Sequence, residues 1–369
     1  MTKVTIAGCG IVGATIAYEL SQCNLDVTVV EAQATPVQPN LSVYPSATGA
    51  ALGVLMGAIS KKEKGNNLRM RLASIEYYNK TIPQLEAATG ADIPFNRYGI
   101  LMLQFDPADL PMWNRLVEIR ATQGYSLEVL DADRLKADFP QVAINPVSGA
   151  IYSPTDRQVN PVALTHALIA GAKLHGAAFQ FDTTVTGFQN HTVFTSKGTI
   201  ETDYLIICAG VGSMALTKAV DQPVDIRPVL GQAIHVRLPK PLGAQQPVIT
   251  GNDVHIVPLA NSEYWIGATV EFPDESGNVL PMDRSLFDAV MQQAIAICPA
   301  LETAQTIRTW HGLRPRPQGR PAPIVEFLPG DNTVLLATGH YRNGVLLAPA
   351  TAQKIKEMIR VNALTDASQ

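Results

Sequence analysis

The amino-terminal segment VTIAGCGIVGATIAYELSQCNLDVTVVEA constrains the fold of this chain more than any other. An apolar strand over residues 3–7 leads into the turn Gly8-Cys9-Gly10-Ile11-Val12-Gly13, a helix follows to about Asn24, and a second strand over residues 26–30 stops at Glu31. The three glycines would serve, in order, for the tight turn, for the approach of a pyrophosphate and for close packing of helix on strand. The free N–H groups at the start of the helix would face the phosphates. The segment therefore predicts a Rossmann-type βαβ unit that binds a dinucleotide.

The residue at the end of the second strand narrows the choice of nucleotide. Glu31 follows Gly8 by 23 residues. At that position a carboxylate accepts hydrogen bonds from an adenosine ribose 2′-hydroxyl and repels a 2′-phosphate. The motif by itself does not separate NAD from FAD.

Composition and charge limit the partners of the chain. Of its 369 residues, 46% are hydrophobic and 16% charged, and 28 Lys and Arg against 32 Asp and Glu give a formal charge of −4. The basic residues form no runs, so nucleic-acid binding is disfavoured and a small-molecule partner is expected. The sequence has no secretory leader and no apolar run of membrane-spanning length, so we expect no membrane association and a cytoplasmic location. The cysteines are expected to be buried free thiols, because their spacing fits no metal site: Cys9, Cys23, Cys208 and Cys298.

Two further segments point to one nucleotide domain built from both ends of the chain. Small residues in SATGAALG (46–53) would let backbone approach a flat or phosphorylated ligand. Near the carboxyl terminus, a strand over residues 334–337 leads into the turn of GHYRNGVLLAP (339–349) and then a long helix. The middle of the chain, with alternating strands over residues 224–268, would be inserted between these ends.

Across nearly its whole length the chain resembles the FAD-dependent amino-acid oxidase family that includes D-amino-acid oxidase, sarcosine oxidase and glycine oxidase. The resemblance rests on the glycine turn with Glu31, on SATGAALG, on TDYLIICAG (202–210), on WHGLRP (310–315) and on GHYRNGVLLAP. The last motif is most similar to that of the glycine oxidases of the thiamine pathway. The resemblance implies an α/β fold in which a Rossmann-type FAD-binding domain (1–88, 156–222 and 312–369) carries an inserted α+β substrate domain (89–155 and 223–311) built on an antiparallel sheet. It also implies a homo-oligomer.

The same resemblance implies FAD as the cofactor. Its adenosine would lie near Glu31 and Val185, and its isoalloxazine ring between residues 50–53 and 342–346. FAD would be held without a covalent bond, because no cysteine lies between Ile307 and Gln369. The residues expected to contact it are Gly8, Gly10, Ile11, Val12, Gly13, Glu31, Ala32, Ser46, Thr48, Gly49, Ala50, Ala51, Leu52, Gly53, Val185, Ala209, Gly210, His340, Tyr341, Asn343, Gly344, Val345 and Leu346.

Three residues are expected to bind the substrate. Arg314 of WHGLRP resembles the family's carboxylate-binding arginine, whose planar fork holds a carboxylate through two hydrogen bonds. Arg342 resembles a second arginine near the flavin, with a flavin-side or structural role as the alternative. His255 stands where glycine oxidases carry a tyrosine that helps to hold the carboxylate, and an ordinary strand histidine is the alternative. Val270 replaces a methionine over the active site of that subgroup.

Other basic residues are expected to be solvated or to support the structure. Arg308, Arg316 and Arg320 are expected to be solvated charges. His311 and His340 are expected to support the scaffold or the flavin rather than to act as acid or base.

The resemblance implies oxidative deamination of a small amino acid or amine, such as glycine, sarcosine or a small D-amino acid. A hydride would pass from the substrate's α-carbon to flavin N5, the imine would hydrolyse in water, and O2 would reoxidise the flavin to give H2O2. The alternatives are a D-amino-acid dehydrogenase that uses another acceptor, a flavin-binding protein without efficient turnover, and an NAD-dependent dehydrogenase.

Overall fold

The computed structural model describes residues 1–44, 46–145, 147–218 and 224–366, the last four of them through their backbone alone. The strands are β1 (Thr2–Ala7), β2 (Leu25–Val30), β3 (Val43–Tyr44), β4 (Val54–Leu55), β5 (Phe95–Asn96), β6 (Ile100–Gln104), β7 (Glu128–Asp131), β8 (Gly149–Ser153), β9 (Arg157–Val159), β10 (Ala178–Gln180), β11 (Val185–Gln189), β12 (Thr192–Thr195), β13 (Gly198–Glu201), β14 (Tyr204–Ile207), β15 (Ile226–Arg237), β16 (Val248–Gly251), β17 (Val254–Pro258), β18 (Glu263–Gly267), β19 (Gln305–Pro317), β20 (Ile324–Leu328) and β21 (Asp331–Thr338). The α-helices are α1 (Ile11–Ser21), α2 (Ala47–Ala50), α3 (Asn66–Thr89), α4 (Leu110–Thr122), α5 (Ala132–Asp138), α6 (Pro161–Leu174), α7 (Ser213–Lys218), α8 (Arg284–Ile297) and α9 (Gly344–Asp366). Short 3-10 helices span Pro107–Asp109, Gly210–Gly212, Pro299–Thr303 and Tyr341–Asn343.

A six-stranded sheet forms the nucleotide-binding side of the molecule. Its order is β10-β2-β1-β14-β21-β20, and its neighbours are parallel except β20, which runs antiparallel to β21. The helices α1, α3, α6 and α9 share one core with it, and the small sheet β11-β12-β13 contributes to the core on its other face. Coverage of both faces explains why β14 is buried throughout. This is the Rossmann-type arrangement that the sequence predicts, and it brings the carboxyl ends of β1, β2, β14 and β21 to a common edge.

A nine-stranded sheet carries the opposite side of the molecule. Its order is β3-β19-β15-β18-β17-β16-β6-β8-β7. The sequence predicts an antiparallel sheet, and most neighbours are antiparallel, but β3 with β19 and β6 with β16 run parallel. These two parallel pairs join strands that are distant along the chain, as parallel pairing requires. A third, small sheet has the order β4-β9-β5, and its neighbouring strands are antiparallel.

Local signals in the sequence agree with the helix boundaries. Asn160 caps α6 by accepting hydrogen bonds from the N–H groups of Val162 (3.0 Å) and Ala163 (3.1 Å), with Pro161 in the first helical position. The small-residue segment forms the short helix α2, which Ser46 caps. The four cysteines are free, and all but the partly exposed Cys23 are buried.

Within the described ranges, no helix is both long and apolar enough to cross a membrane, and no three His, Cys, Asp or Glu side chains group as a metal site would require.

Candidate active site

A cavity of about 1300 Å³ lies at the carboxyl edge of the parallel sheet and extends to the nine-stranded sheet. Its walls include the glycine turn, the start of α9, the strand β19 and the hairpin between β16 and β17. Pockets for small ligands usually measure about 300–1000 Å³, so this one has room for a dinucleotide together with a small substrate.

The glycine turn has the geometry that its motif predicts. Gly8 has φ +104°, and a Cβ there would lie 2.8 Å from the carbonyl oxygen of Cys208. A Cβ at Gly13 would lie 2.0 Å from the carbonyl oxygen of Gly8, so this glycine permits close packing and does not itself line the cavity. Gly10, at the N-cap of α1, lines the cavity and makes no side-chain cap, while the hydroxyl of Thr48 accepts the N–H of Ile11 at 3.0 Å. The positive end of α1 therefore faces the cavity beside a hydroxyl from α2.

Glu31 lies on the cavity wall at the end of β2. Its carboxylate accepts the backbone N–H of Cys9 at 2.7 Å and that of Gln33 at 2.9 Å. A carboxylate has about four acceptor positions, so capacity remains for two ribose hydroxyls. Ala32 and Val185, both predicted from the sequence, line the same end of the cavity.

The predicted contacts of SATGAALG divide into two kinds. Ser46, Thr48 and residues 50–53 line the cavity. Gly49 does not: a Cβ there would lie 2.2 Å from the ring of Tyr44, so this glycine serves packing against β3. The backbone of Ala209 and Gly210, after β14, completes the wall opposite.

The start of α9 is built to face the cavity. Residues 340–346, including the predicted Asn343, Gly344, Val345 and Leu346, line it. Pro349 supplies no N–H for the carbonyl of Val345, and the buried hydroxyl of Tyr78 donates to that oxygen at 2.5 Å instead. Arg71 donates to Asn343 Oδ1 at 3.0 Å and to the Met56 carbonyl at 2.9 Å. The helix α3 therefore fixes the first turn of α9.

His340 is a buried scaffold residue that also borders the cavity. Its Nε2 lies 2.9 Å from the hydroxyl of Thr351 on α9. Burial lowers the pKa of His340 to about 4, so the ring is neutral at neutral pH. This placement agrees with the supporting role that the sequence predicts. The neighbouring Tyr341, with φ +52°, also lines the cavity.

Arg314 on β19 brings a cation into the cavity. Its Nη1 donates to the carbonyl oxygens of Leu230 (3.1 Å) and Thr269 (3.0 Å), and no carboxylate of the described residues pairs with it. Space for the guanidinium exists because β15 has Gly231 beneath it, where a Cβ would lie 2.3 Å from both Nη atoms. Burial and then the charge of Arg342 lower the pKa of Arg314 to about 10, which still leaves it charged at neutral pH.

The other two predicted substrate residues also line the cavity. Arg342 Nη2 lies 3.0 Å from Asp253 Oδ1 on the β16–β17 hairpin, and both side chains are exposed. His255 on β17 has a buried Nδ1 without a hydrogen-bond partner in the described structure. Its pKa is lowered to about 4, first by burial and then by Arg342, with a further contribution from Arg314. A neutral imidazole therefore lies near two guanidinium groups.

Several residues singled out in the sequence lie elsewhere. Arg308, Arg316, Arg320, His311 and Val270 do not line the cavity. Arg320 pairs with Glu326, while Arg308 and Arg316 lie over aromatic rings. The two stacked arginines are therefore partly buried against rings rather than simply solvated.

Sequence reasoning missed a group of residues that line the cavity outside the motifs. They come from the segment after β4, from α3, from the segment after β6 and from α4, and include Met56, Ile59, Lys61, Arg71, Phe105, Asp106 and Trp113. No motif marks them, because they lie in loops or on helices whose local sequence carries no signal for a ligand.

The residues present fit FAD. A glycine turn that a Cβ would fill, two helix N-termini that face the cavity and a carboxylate at the end of β2 match the diphosphate and ribose of a dinucleotide. The comparison with protein families then decides the assignment: the DAO family model, described as FAD dependent oxidoreductase, matches residues 3–358. The chain belongs to this family. As an FAD-dependent oxidoreductase it has FAD as its cofactor, and the enzyme class expected from the sequence is confirmed.

Related proteins cover this oxidoreductase almost from end to end. Glycine oxidase of Bacillus licheniformis is 29% identical over 97% of this chain and 92% of its own length. Hydrogen cyanide synthase subunit HcnC of Pseudomonas protegens is 28% identical, over 98% and 93%. The crystal structure of glycine oxidase from Geobacillus kaustophilus superimposes with a TM-score of 0.85 at 25% identity, over 98% of this chain and 95% of that one. These matches confirm the predicted α/β fold with a Rossmann-type FAD-binding part.

Proposed function

We propose that this enzyme oxidises a small amino acid or amine, namely glycine, sarcosine or a small D-amino acid, with noncovalent FAD and O2 as the acceptor. The observation that carries the proposal is Arg314, a guanidinium that lines the cavity and pairs with no carboxylate among the residues that the structure describes. The similarity to glycine oxidases supports the choice of a small substrate.

In this proposal, Arg314 binds the substrate carboxylate. Its Nη1 is held by two carbonyl oxygens, which leaves Nη2 and Nε to donate two parallel hydrogen bonds. An anion bound there would also reduce the repulsion between Arg314 and Arg342. Substrate binding would therefore raise the pKa of Arg314 back towards its ordinary value.

His255 would contribute a hydrogen bond to the same substrate. Its buried Nδ1 has no hydrogen-bond partner in the part of the chain that the structure describes, and the neutral ring has one donor and one acceptor nitrogen. This is the position at which the family resemblance expects a tyrosine hydroxyl. Because imidazole is shorter than phenol, the carboxylate would lie deeper towards β17 or be bridged through water.

The chain would hold FAD along the cavity through groups that are already in place. Glu31 would accept from the adenosine ribose, the N-terminus of α1 would face the diphosphate, and the start of α9 would face the isoalloxazine edge that becomes negative on reduction. FAD held there would supply the two-electron oxidation of the amine at its α-carbon.

Loss of a hydride from the α-carbon and of a proton from the nitrogen to solvent would convert the amine into an imine, which water hydrolyses to a carbonyl compound and ammonia or an amine. The protein contributes mainly by orienting the α-carbon through the substrate carboxylate. O2 would take the two electrons from the reduced cofactor and leave as H2O2.

Addition of substrates without oxygen tests the proposal. The purified enzyme should be yellow, glycine, sarcosine or a small D-amino acid should bleach the flavin, and air should restore the colour with one H2O2 per cycle. Bleaching that air does not reverse would favour the dehydrogenase alternative with another acceptor. A yellow protein that no member of the panel bleaches would refute the substrate assignment.

We also propose the two-domain division expected from the sequence. It is supported by sheet membership, because the strands of the six-stranded sheet fall in 1–88, 156–222 and 312–369. β3 and the end of β19 depart from it, since they belong to the nine-stranded sheet. The boundary between 222 and 223 lies outside the described residues. The cytoplasmic location and the homo-oligomer stay predictions.

A further inference from the structure

One wall of the cavity consists of a loop between β4 and α3, residues 56–62, which we name the wall loop. Met56, Ile59, Ser60 and Lys61 from this loop line the cavity. Ile59 packs in one cluster with Trp113, and Lys61 Nζ lies 5.3 Å from the centre of the Trp113 ring, whereas the glycine turn packs in the separate core of the six-stranded sheet. The wall loop therefore borders the part of the cavity that the dinucleotide's adenosine end does not occupy.

A single buried carboxylate holds the first half of the wall loop. Asp156 is fully buried and does not line the cavity. Its Oδ1 accepts the N–H groups of Gly57 and Ala58, both at 2.8 Å, and its Oδ2 accepts that of Ile59 at 2.8 Å. Three consecutive backbone donors thus share one charged acceptor, and such charge-assisted bonds are about twice as strong as neutral ones.

A buried cation holds the carbonyl groups of the same loop. Arg120 on α4 is fully buried, and its Nε donates to the Ala58 carbonyl at 2.7 Å. Its Nη2 donates to the carbonyls of Ser60 (2.8 Å) and Lys62 (2.5 Å). Between them the carboxylate and the guanidinium bind five peptide groups of one short loop, and the peptide between Ala58 and Ile59 is bound by both, which leaves the backbone little freedom.

The cost of this arrangement argues for a role beyond packing. Burying a charge is unfavourable unless every one of its bonds is made, and an apolar residue would often be more stabilising. Here all three backbone N–H groups that the Asp156 carboxylate accepts belong to the wall loop. Gly57 adapts the loop to this carboxylate, because a Cβ there would lie 3.2 Å from Asp156 Oδ1 and 2.3 Å from Ile75 Cδ1.

We propose that Asp156 is a positioning residue that fixes the wall loop and thereby limits the size of the amine that the cavity accepts. The identity of the substrate rests on the proposed function, but the fixing of the loop does not. Asp156 acts through the loop backbone, since it reaches neither cofactor nor substrate itself.

The variant Asp156→Asn tests this role. The amide nitrogen of the new side chain would face a backbone donor. At least one of the N–H groups of Gly57, Ala58 and Ile59 would therefore lose its acceptor. The matched control is Glu19→Gln, a second buried carboxylate, which binds Tyr77 and Gln353 between α1, α3 and α9 and does not line the cavity. Both variants would be assayed as holoenzymes for flavin content and thermal stability.

Two readouts separate positioning from simple stability. Hydrogen exchange in peptides covering residues 56–60 should be faster by about tenfold or more in Asp156→Asn, and unchanged in Glu19→Gln. The ratio of kcat/KM for a bulky D-amino acid to that for the smallest substrate should rise about tenfold in Asp156→Asn alone, because a looser wall admits a larger side chain. A shift of this ratio is not expected from destabilisation elsewhere.

The proposal is overturned if Asp156→Asn melts earlier than the wild type but keeps both the exchange rate of residues 56–60 and the substrate-size ratio. If Asp156→Asn does not fold, Gly57→Ala replaces it, because its Cβ displaces the loop while the charge stays, and the same two shifts are expected. If the wild type oxidises no member of the amine panel, the proposed function fails. Unchanged exchange in the variant would then refute the positioning role independently.

Discussion

The substitution Gly231→Ala should disable substrate capture without touching the flavin. The added Cβ would lie 2.3 Å from both Nη atoms of Arg314 and 2.4 Å from its Cζ, so the guanidinium must move out of its place above β15. Gly231 itself has no left-handed backbone conformation, and the clashing atoms are the end of a flexible side chain. The fold should therefore persist, and the cation should shift.

The size of the effect follows from the bonds that the shift removes. Arg314 would lose its bonds to the carbonyls of Leu230 and Thr269 and its alignment with the substrate carboxylate. A hydrogen bond to a charged group contributes about 1.5–3 kcal/mol, so loss of carboxylate alignment should raise KM by about 10- to 150-fold. Because the same bonds orient the α-carbon of the substrate, kcat at saturation should also fall, but by a smaller factor than kcat/KM.

Steady-state kinetics on purified holoenzyme measure KM and kcat separately. Glycolate is a carboxylate without the amine, and a titration with it, followed through the flavin spectrum, measures carboxylate binding alone. Gly187→Ala is the matched control, since it adds the same methyl to a strand where the nearest atom lies 3.9 Å away, on Phe194. An unchanged KM in Gly231→Ala, with flavin bound, would refute the assignment of Arg314 as the carboxylate site.

Three other perturbations have defined outcomes. Glu31→Ala should weaken FAD binding by about 10- to 150-fold in an apoprotein titration, because hydrogen bonds from the ribose to a charged acceptor are lost. Glu201 is exposed, so the control Glu201→Ala should leave FAD affinity unchanged. Equal affinities of the two variants would exclude Glu31 from the adenosine site. His340 and His255 have pKa values of about 4, below the ordinary 6.5, so both contribute stability that is present above about pH 6.5 and lost as pH falls through 4, at up to about 1.4 kcal/mol per pH unit for each. In chemical unfolding at several pH values, His340→Gln should reduce this slope, and an identical slope would contradict a neutral buried ring. Arg342→Ala should raise KM less than tenfold, because Arg342 is exposed and already paired with an aspartate; a larger loss would make it the principal carboxylate ligand.

Features with a local signal could be predicted from the sequence. The glycine turn, the acidic end of β2 and the Asn-Pro start of α6 depend on residues only a few positions apart, and all three have the predicted geometry. The start of α9 at Gly344 was also predicted. A glycine in the sequence does not show whether it contacts a ligand or permits close packing, however. The sequence predicts that Gly49 contacts the cofactor, but in the structure it packs against the ring of Tyr44.

Contacts between distant segments had no such signal. Arg71 meets Asn343 across 272 positions, and Asp156 meets Gly57 across 99. Gly231 was not recognised either, because its importance depends on the register that places β15 beside Arg314 on β19. Polar residues of this kind resemble ordinary helix and strand positions until the fold brings their partners together.

The most direct test of the central claim is the rate of flavin reduction without oxygen, measured over a range of glycine or D-alanine concentrations in the wild type and in Arg314→Met. The account predicts that the wild type is fully reduced with a saturable rate. The variant should bind FAD normally but require about 100-fold more substrate to reach half of its limiting rate. If Arg314→Met is half-saturated at the same concentration as the wild type, the carboxylate is bound elsewhere and the proposed orientation of the substrate is wrong.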